Sequence, residues 1–320
     1  MTRPFAVACA LELPSETLEL EAAILAAAGA DLRDRRGIPL DDLGAELAEA
    51  DAVLTEALGR ERFDAVRIGR LERCRVISVY AVGTDGVDVD AATARGIAVR
   101  NVPDYCTVEV AEHAVGLLLA AWRKFRAAER VARGDAWDVT ALRPIHRLAG
   151  RTVGLVGFGS ISREVASRLG AFGVNLVASD PYADARVAAG LGVRLLPLRE
   201  LLETADAVSL HAPLTAETRG LLGRSELALL RPGAVLVNAS RGGLVDHDAL
   251  LDALQSGHLA GAALDVLDVE PPSALHPLLG RDDVLCTPHM GYYSEEALET
   301  LRTEAARNAA AVLDASFAPL

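Results

Sequence analysis

The stretch T-V-G-L-V-G-F-G-S-I-S (152–162) decides the reading of this chain. An apolar run, Thr152 to Val156, leads into Gly157, Gly159 and Ser162, which occupy the three glycine positions of G-x-G-x-x-G. The first glycine makes a tight turn, and the second lets backbone amides approach a pyrophosphate at a helix N-terminus. The third allows close helix–strand packing, and serine there is a weaker match. Alone the pattern says little, but here a strand precedes it and a helical pattern follows. A second apolar run, Asn175 to Ser179, ends at Asp180. That aspartate lies about twenty residues on, where a carboxylate takes the ribose hydroxyls and repels a 2′-phosphate. The cofactor this predicts is NAD.

The same rhythm extends in both directions. Short, continuously apolar runs predict strands at Arg75 to Tyr80, Ala207 to Leu210, Ala234 to Asn238 and Gly261 to Leu264, with another near Val284 to Cys286. Parallel strands covered on both faces have this composition. Helical patterns lie between them, such as Ser15 to Ala28, a long one over Thr107 to Val131, and Asp246 to Ser256. The glycine turn falls in the middle of the chain, so one α/β unit precedes it. The fold class expected is α/β, with two doubly wound parallel-sheet domains and a cleft between them. One is a Rossmann-type NAD-binding domain over 105–290. The other is a flavodoxin-like substrate domain over 1–104, completed by 291–320. The last helix, Ser294 to Leu313, has a serine start and Glu295–Glu296 in its first turn, as a helix N-terminus favours. Hinges are expected near Pro103 and Met290.

Composition narrows the functional classes. The 320 residues carry 32 basic and 45 acidic side chains, a net charge of −13, which argues against nucleic acid as the main partner. Lys124 is the single lysine and stands among other charges, so Schiff-base and P-loop chemistry are not expected. The four cysteines, Cys9, Cys74, Cys106 and Cys286, form no C-x-x-C pair, and no histidine or cysteine cluster has zinc spacing. Reduced, buried thiols in the cytoplasm and no metal are the expectation. Apolar runs such as Ala114 to Trp122 are too short to span a bilayer. Phe5 to Leu11 reads as a first buried strand, because Glu12 and Pro14 break any signal-peptide pattern.

Three polar residues in the C-terminal half carry the candidate chemistry. They are Arg241 in V-N-A-S-R-G-G (237–243), Glu270 in A-L-D-V-L-D-V-E-P-P (263–272) and His289 in C-T-P-H-M-G (286–291). Each alone is ordinary. Together they follow predicted strand ends, and open α/β sheets bind ligands outside those ends. Arginine grips a carboxylate in bidentate fashion, histidine moves a proton near neutral pH, and a glutamate orients that histidine. Behind a dinucleotide site, this set suits hydride transfer to a 2-oxo acid.

Over nearly its whole length the chain resembles the D-isomer-specific 2-hydroxyacid dehydrogenases, especially the phosphoglycerate dehydrogenase-like and C-terminal-binding-protein-like members. The segments that carry the resemblance are G-T-D-G-V-D (83–88), G-I-A-V-R-N-V-P-D-Y-C-T-V-E-V-A-E-H (96–113), G-F-G-S-I-S (157–162), L-H-A-P-L-T-A-E-T (210–218), N-A-S-R-G-G-L-V-D (238–246), the 263–272 stretch and T-P-H-M-G-Y-Y-S-E-E (287–296). The resemblance implies that Arg241 binds the substrate, His289 is the acid/base and Glu270 its partner. It places Asp265 at the nicotinamide carboxamide, and Ser160, Ile161, Asp180, Ala212, Ala239 and Ser240 along the cofactor, with His211 nearby. It gives Val82 and Gly83 backbone amides for the substrate carboxylate, puts Tyr292 over the pocket, and implies a homodimer. The chain departs from the resembled pattern at Val79, where an arginine is common, at Ala81 and Gly86, and at Ser160, where an arginine often stands. An NAD(H)-sensing scaffold, or a dehydrogenase for an unusual oxo acid such as a phosphonate, are the competing readings. His113 reads as structural, and His146, His247, His258 and His276 as loop or surface residues.

Overall fold

The computed structural model describes residues 3–11, 17–56, 61–134 and 137–314. Expectations that fall on Glu12, Pro14 and Ser15 lie outside the described residues. The chain divides into two compact units, one from residues 1–105 with 294–320, the other from 106–293.

In the first unit, β1 (Phe5–Ala8), α1 (Glu19–Ala27), β2 (Asp31–Asp34), α2 (Gly44–Glu49), β3 (Ala52–Thr55), α3 (Ala65–Gly69), β4 (Val76–Val79), α4 (Val89–Ala94) and β5 (Ala98–Arg100) alternate along the chain. The described strands make one parallel sheet in the order β2-β1-β3-β4-β5. This is the flavodoxin-like order. Strands β1, β3 and β4 are buried at every residue, because helices cover both faces. The charged strand D-L-R-D of β2 takes an exposed edge, where charge discourages pairing with other chains.

The second unit begins with α5 (Thr107–Trp122) and α6 (Phe125–Arg133). The single long helix expected over this region is two. Lys124 adopts a left-handed conformation, φ 56°, and redirects the chain where the buried stripe stops at Trp122. That stripe, Ala114, Leu117 and Leu118 among it, packs into the unit's own core. There follow β6 (Thr152–Val156), α7 (Ser160–Gly170), β7 (Asn175–Ser179), α8 (Ala185–Gly190), β8 (Val193–Leu195), α9 (Leu198–Thr204), β9 (Ala207–Leu210), α10 (Arg224–Leu229), β10 (Ala234–Asn238), α11 (His247–Gln255), β11 (Leu259–Leu264) and β12 (Val284–Cys286). The described strands form a parallel sheet ordered β12-β11-β10-β9-β6-β7-β8. The chain runs outward from β6 on one side and then restarts at β9 on the other. This is the doubly wound arrangement whose ligand crevice opens where the order reverses, beyond the carboxyl ends of β6 and β9.

The last helix, α12 (Glu295–Leu313), belongs to the first unit. Ser294 caps it by accepting a hydrogen bond from Ala297 N at 2.9 Å. Its small residues Ala305, Ala306 and Ala309 let it lie close on β3 and β4, and Ser78 Oγ donates to Ala305 O at 2.7 Å. Arg302 grips the fully buried Glu21 of α1 through Nε and Nη2, at 2.6 and 2.7 Å. Two parallel charge-assisted bonds compensate that buried carboxylate.

Candidate active site

Arg241, Glu270 and His289 follow β10, β11 and β12, three neighbouring strands of one sheet. His289 Nδ1 lies 2.6 Å from Glu270 Oε2, and Glu270 Oε1 accepts from Leu267 N at 2.8 Å. A carboxylate only accepts, so Nδ1 carries the hydrogen and Nε2 is left to meet a reactant. His289 has φ 52°, an uncommon conformation for a residue with a Cβ. Its own amide holds it there by donating to Asp265 O at 2.8 Å and Thr287 O at 3.0 Å.

Arg241 stands at the start of a 3-10 turn (Gly242–Leu244). Fully buried Asn238, the last residue of β10, ties this loop by accepting from Ser240 N at 3.0 Å and donating to Arg241 O at 2.9 Å. Ser240 Oγ donates to Ala212 O at 2.6 Å, which joins the loops after β10 and β9. Arg241 Nη1 donates to Ser240 O at 2.9 Å, so one corner of the guanidinium is anchored. Gly242 lies flat against the loop that carries Glu270. A Cβ there would fall on the Leu267 carbonyl and 2.5 Å from Asp268 N.

Asp265, 2 % exposed, organises the segment behind His289. Its Oδ1 accepts from Thr287 Oγ1 at 2.5 Å and Met290 N at 2.9 Å, and its Oδ2 accepts from Gly291 N at 2.8 Å. His113 Nε2 lies 3.2 Å from Oδ1 and 3.0 Å from Thr287 Oγ1. Since Thr287 gives its one hydrogen to Asp265, His113 Nε2 must be protonated to bond either. Burial pushes the Asp265 carboxyl up, but the hydrogen bonds from His113, Thr287, Met290 and Gly291 outweigh it and hold the carboxyl below its ordinary range. The sequence reading named Asp265 and missed its partners Thr287 and His113. A histidine on a helix and a threonine before a proline carry no signal of meeting.

The glycine turn has the shape its sequence predicts. Gly157 has φ 87°, and a Cβ there would come 2.7 Å from Ala212 N and from the His211 carbonyl carbon. Gly159 caps α7 and faces open space, where a Cβ would meet nothing within 4 Å. Ser160 and Ile161 open the helix behind it. Asp180 Oδ2 accepts from Phe158 N at 2.7 Å and Oδ1 from Tyr182 N at 2.8 Å, so one carboxylate steadies the turn and still has acceptor capacity. His211 Nε2 pairs with Ser209 Oγ at 2.9 Å, and burial pushes its pKa down to about 4. Ser162, at the third glycine position, is fully buried and its hydroxyl finds no partner. Ala239 continues from β10 into the same group of strand-end loops. An open helix N-terminus, a crowded first glycine and a carboxylate at the end of β7 together fit a dinucleotide.

Val82 and Gly83 belong to the first unit, beyond β4, where Asn101 Nδ2 donates to Val82 O at 2.5 Å. Tyr292 is in the second unit, edge-on to Tyr293 with ring centroids 6.4 Å apart. Val79 is 1 % exposed in the core around β4. His247, expected at the surface, is instead buried at the start of α11. The cysteines are all free, three of them buried and Cys286 partly exposed.

Comparison with known proteins agrees with this construction. The sequence profile described as "D-isomer specific 2-hydroxyacid dehydrogenase, NAD binding domain" matches residues 115–291. D-3-phosphoglycerate dehydrogenase of Mycobacterium bovis is 42% identical over 279 residues, 87% of this chain and 52% of that enzyme. The chain thus spans about half the length of the curated relatives it matches. Among solved structures, the TT0316 protein of Thermus thermophilus is 36% identical, with a TM-score of 0.85 over 96% of both chains. A glyoxylate reductase from Paecilomyes thermophila is 27% identical, with a TM-score of 0.87 over 100% of this chain and 98% of that one. A family profile over more than half of the chain and relatives above 40% identity place it plainly: the chain belongs to the D-isomer-specific 2-hydroxyacid dehydrogenases, an NAD-binding family.

Proposed function

We propose that the chain is an NAD-dependent D-2-hydroxyacid dehydrogenase that interconverts a small 2-oxo acid and its 2-hydroxy acid. The observation that carries this is the 2.6 Å His289–Glu270 pair, held at the end of a sheet whose neighbouring strand presents Arg241. The amides around Gly159, Ser160 and Ile161 would hold the pyrophosphate, and Asp180 the ribose. Bound NADH supplies the hydride. Arg241 orients the substrate carboxylate and stabilises charge growing on the carbonyl oxygen. His289 Nε2 gives that oxygen its proton in reduction and removes it in oxidation. Glu270 keeps the ring oriented and stabilises its charged form through Nδ1.

A homodimer and a cytoplasmic setting belong to the same reading, the first on the resemblance, the second on four free cysteines. Among the described residues no helix is long and apolar enough to cross a membrane.

The test is NADH consumption against glyoxylate, pyruvate, hydroxypyruvate, phosphohydroxypyruvate and aromatic and phosphonate-bearing oxo acids, with His289→Ala alongside. Turnover of one class, lost in the variant, is the expected result. A preference for the phosphorylated acid would move the substrate assignment towards that of the relatives named phosphoglycerate dehydrogenase. NADH binding without turnover on any acid would overturn the enzymatic reading in favour of a sensor.

A further inference from the structure

Three side chains outside the dehydrogenase machinery meet in the second unit. His247 opens α11, whose N-cap Asp246 accepts from Ala249 N at 3.0 Å. Asp268 lies in the loop after β11, two residues before Glu270. His276 lies in a turn closed by its own amide donating to Ser273 O at 2.9 Å. His247 Nδ1 is 3.2 Å from Asp268 Oδ1, and His276 Nε2 is 3.5 Å from the same oxygen. The two rings stand edge to face with centroids 5.8 Å apart. One ligand atom from each residue lies within 4.8 Å of the other two.

We propose that His247, Asp268 and His276 form a binding site for a zinc-class transition-metal ion that braces the loop carrying Glu270. Zinc bonds of about 2.0–2.1 Å at tetrahedral angles set ligand atoms roughly 3.3–3.4 Å apart. The two distances to Asp268 Oδ1 bracket that edge. The His247 side chain is only 7 % exposed, yet neither ring nitrogen has a hydrogen-bond partner. Its Nδ1 lies at ion-pair distance from Asp268 Oδ1, 3.2 Å, without a well-formed hydrogen bond to it. Two ligands aimed at a shared third point show this arrangement, and a donor aimed at its acceptor does not.

The ligand chemistry selects the ion. Two imidazoles and one carboxylate suit zinc and its neighbours, whereas calcium and magnesium prefer oxygen alone. The carboxylate of Asp268 is half exposed, which leaves a path for water as the fourth ligand. One contact must yield. Leu278 N donates to His276 Nδ1 at 3.4 Å, and binding through Nε2 moves the ring's hydrogen to Nδ1. That long bond is weak, so micromolar rather than picomolar affinity is the expectation. The ion would tie the first turn of α11 and the 273–278 turn to a loop whose backbone already packs on Gly242.

The experiment is calorimetric titration of the chelator-treated full chain with zinc chloride, repeated with cobalt(II) to read coordination from its visible absorption. One zinc per chain is expected, with intense four-coordinate cobalt bands. Affinity should fall at least about tenfold in Asp268→Asn and in His276→Ala. It should be unchanged in His289→Ala, because that residue belongs to the other pair. Absence of stoichiometric uptake would overturn the proposal, as would uptake that survives Asp268→Asn with His276→Ala, or uptake lost in His289→Ala. Metal-free melting of each variant separates ligand loss from misfolding. Should His276→Ala fail to fold, Asp268→Asn decides alone, since that side chain is half exposed. The readout is metal, so an inactive protein that binds zinc here would refute the dehydrogenase reading and leave this one standing.

Discussion

His289 Nδ1 and Glu270 Oε2 lie 2.6 Å apart although 19 residues separate them in the chain. They meet because β11 and β12 are parallel neighbours, paired from Ala262↔Val284 to Leu264↔Cys286, so the residues beyond each strand leave the sheet side by side. Glu270 acts through His289 in the proposed chemistry. His289→Ala should therefore cost about two to four orders of magnitude in kcat. Glu270→Gln should cost less, and the double variant should be no slower than His289→Ala alone. Independent, multiplying losses would show that Glu270 has a separate role.

Gly242→Ala tests the contact that seats Arg241 beside the Glu270 loop. The new methyl would fall on the Leu267 carbonyl, and backbone cannot move aside as a flexible side chain does. A loss of about 3 kcal/mol is expected, together with a large fall in kcat. Denaturant unfolding with steady-state kinetics checks this, and a neutral effect on both would mean the two loops are not in register.

Asp265 gives a prediction with a definite sign. Its folded-state pKa lies below the unfolded value, so its stabilisation is present above about pH 4 and is lost as pH falls through the folded pKa. Asp265→Asn should cost about 2–4 kcal/mol at neutral pH, because the amide faces donors it cannot satisfy. The gap between wild type and variant should close below about pH 4. Urea titrations across pH 3–7 would reveal a constant gap if the carboxylate were not the cause.

His211 acts over a different window. Its pKa is about 4 folded and 6.5 unfolded, so between those values the unfolded chain binds more protons. Stability is complete above pH 6.5 and declines as pH drops towards 4, by up to about 3 kcal/mol. His211→Asn should flatten that slope in the same titrations, and an unaltered slope would assign it to other groups.

Ser162→Ala should raise stability by about 1–2 kcal/mol, since it removes a buried hydroxyl without a partner and leaves a better helix former. A rise in unfolding midpoint with an unchanged m value is the expected readout. Destabilisation would mean that the hydroxyl has a partner, such as an internal water.

Much of the architecture is legible along the chain because its causes are local. Continuous apolar runs such as Ala234–Asn238 fit covered strands, and Gly157 marks a turn that a Cβ would block. Arg241, Glu270 and His289 can be picked out because each follows such a strand. The break at Lys124 was not legible, since nothing in R-K-F forbids a helix. It follows from where the apolar stripe of α5 ends against the core.

What the sequence by itself determined is the parallel-strand rhythm, the glycine turn after β6 and the place of Arg241, Glu270 and His289 beyond strand ends, all of which depend on composition and spacing within a few turns of chain. Only the tertiary structure decided that Asp265 gathers His113, Thr287, Met290 and Gly291 around one buried carboxylate, that Gly242 packs on Leu267, and that His247 leaves the surface to meet Asp268 and His276. Those meetings are set by strand order and by loop lengths summed over the whole sheet. A hydrogen bond or a ligand edge is satisfied within a few tenths of an ångström, and no local pattern encodes a distance between residues that far apart in the chain.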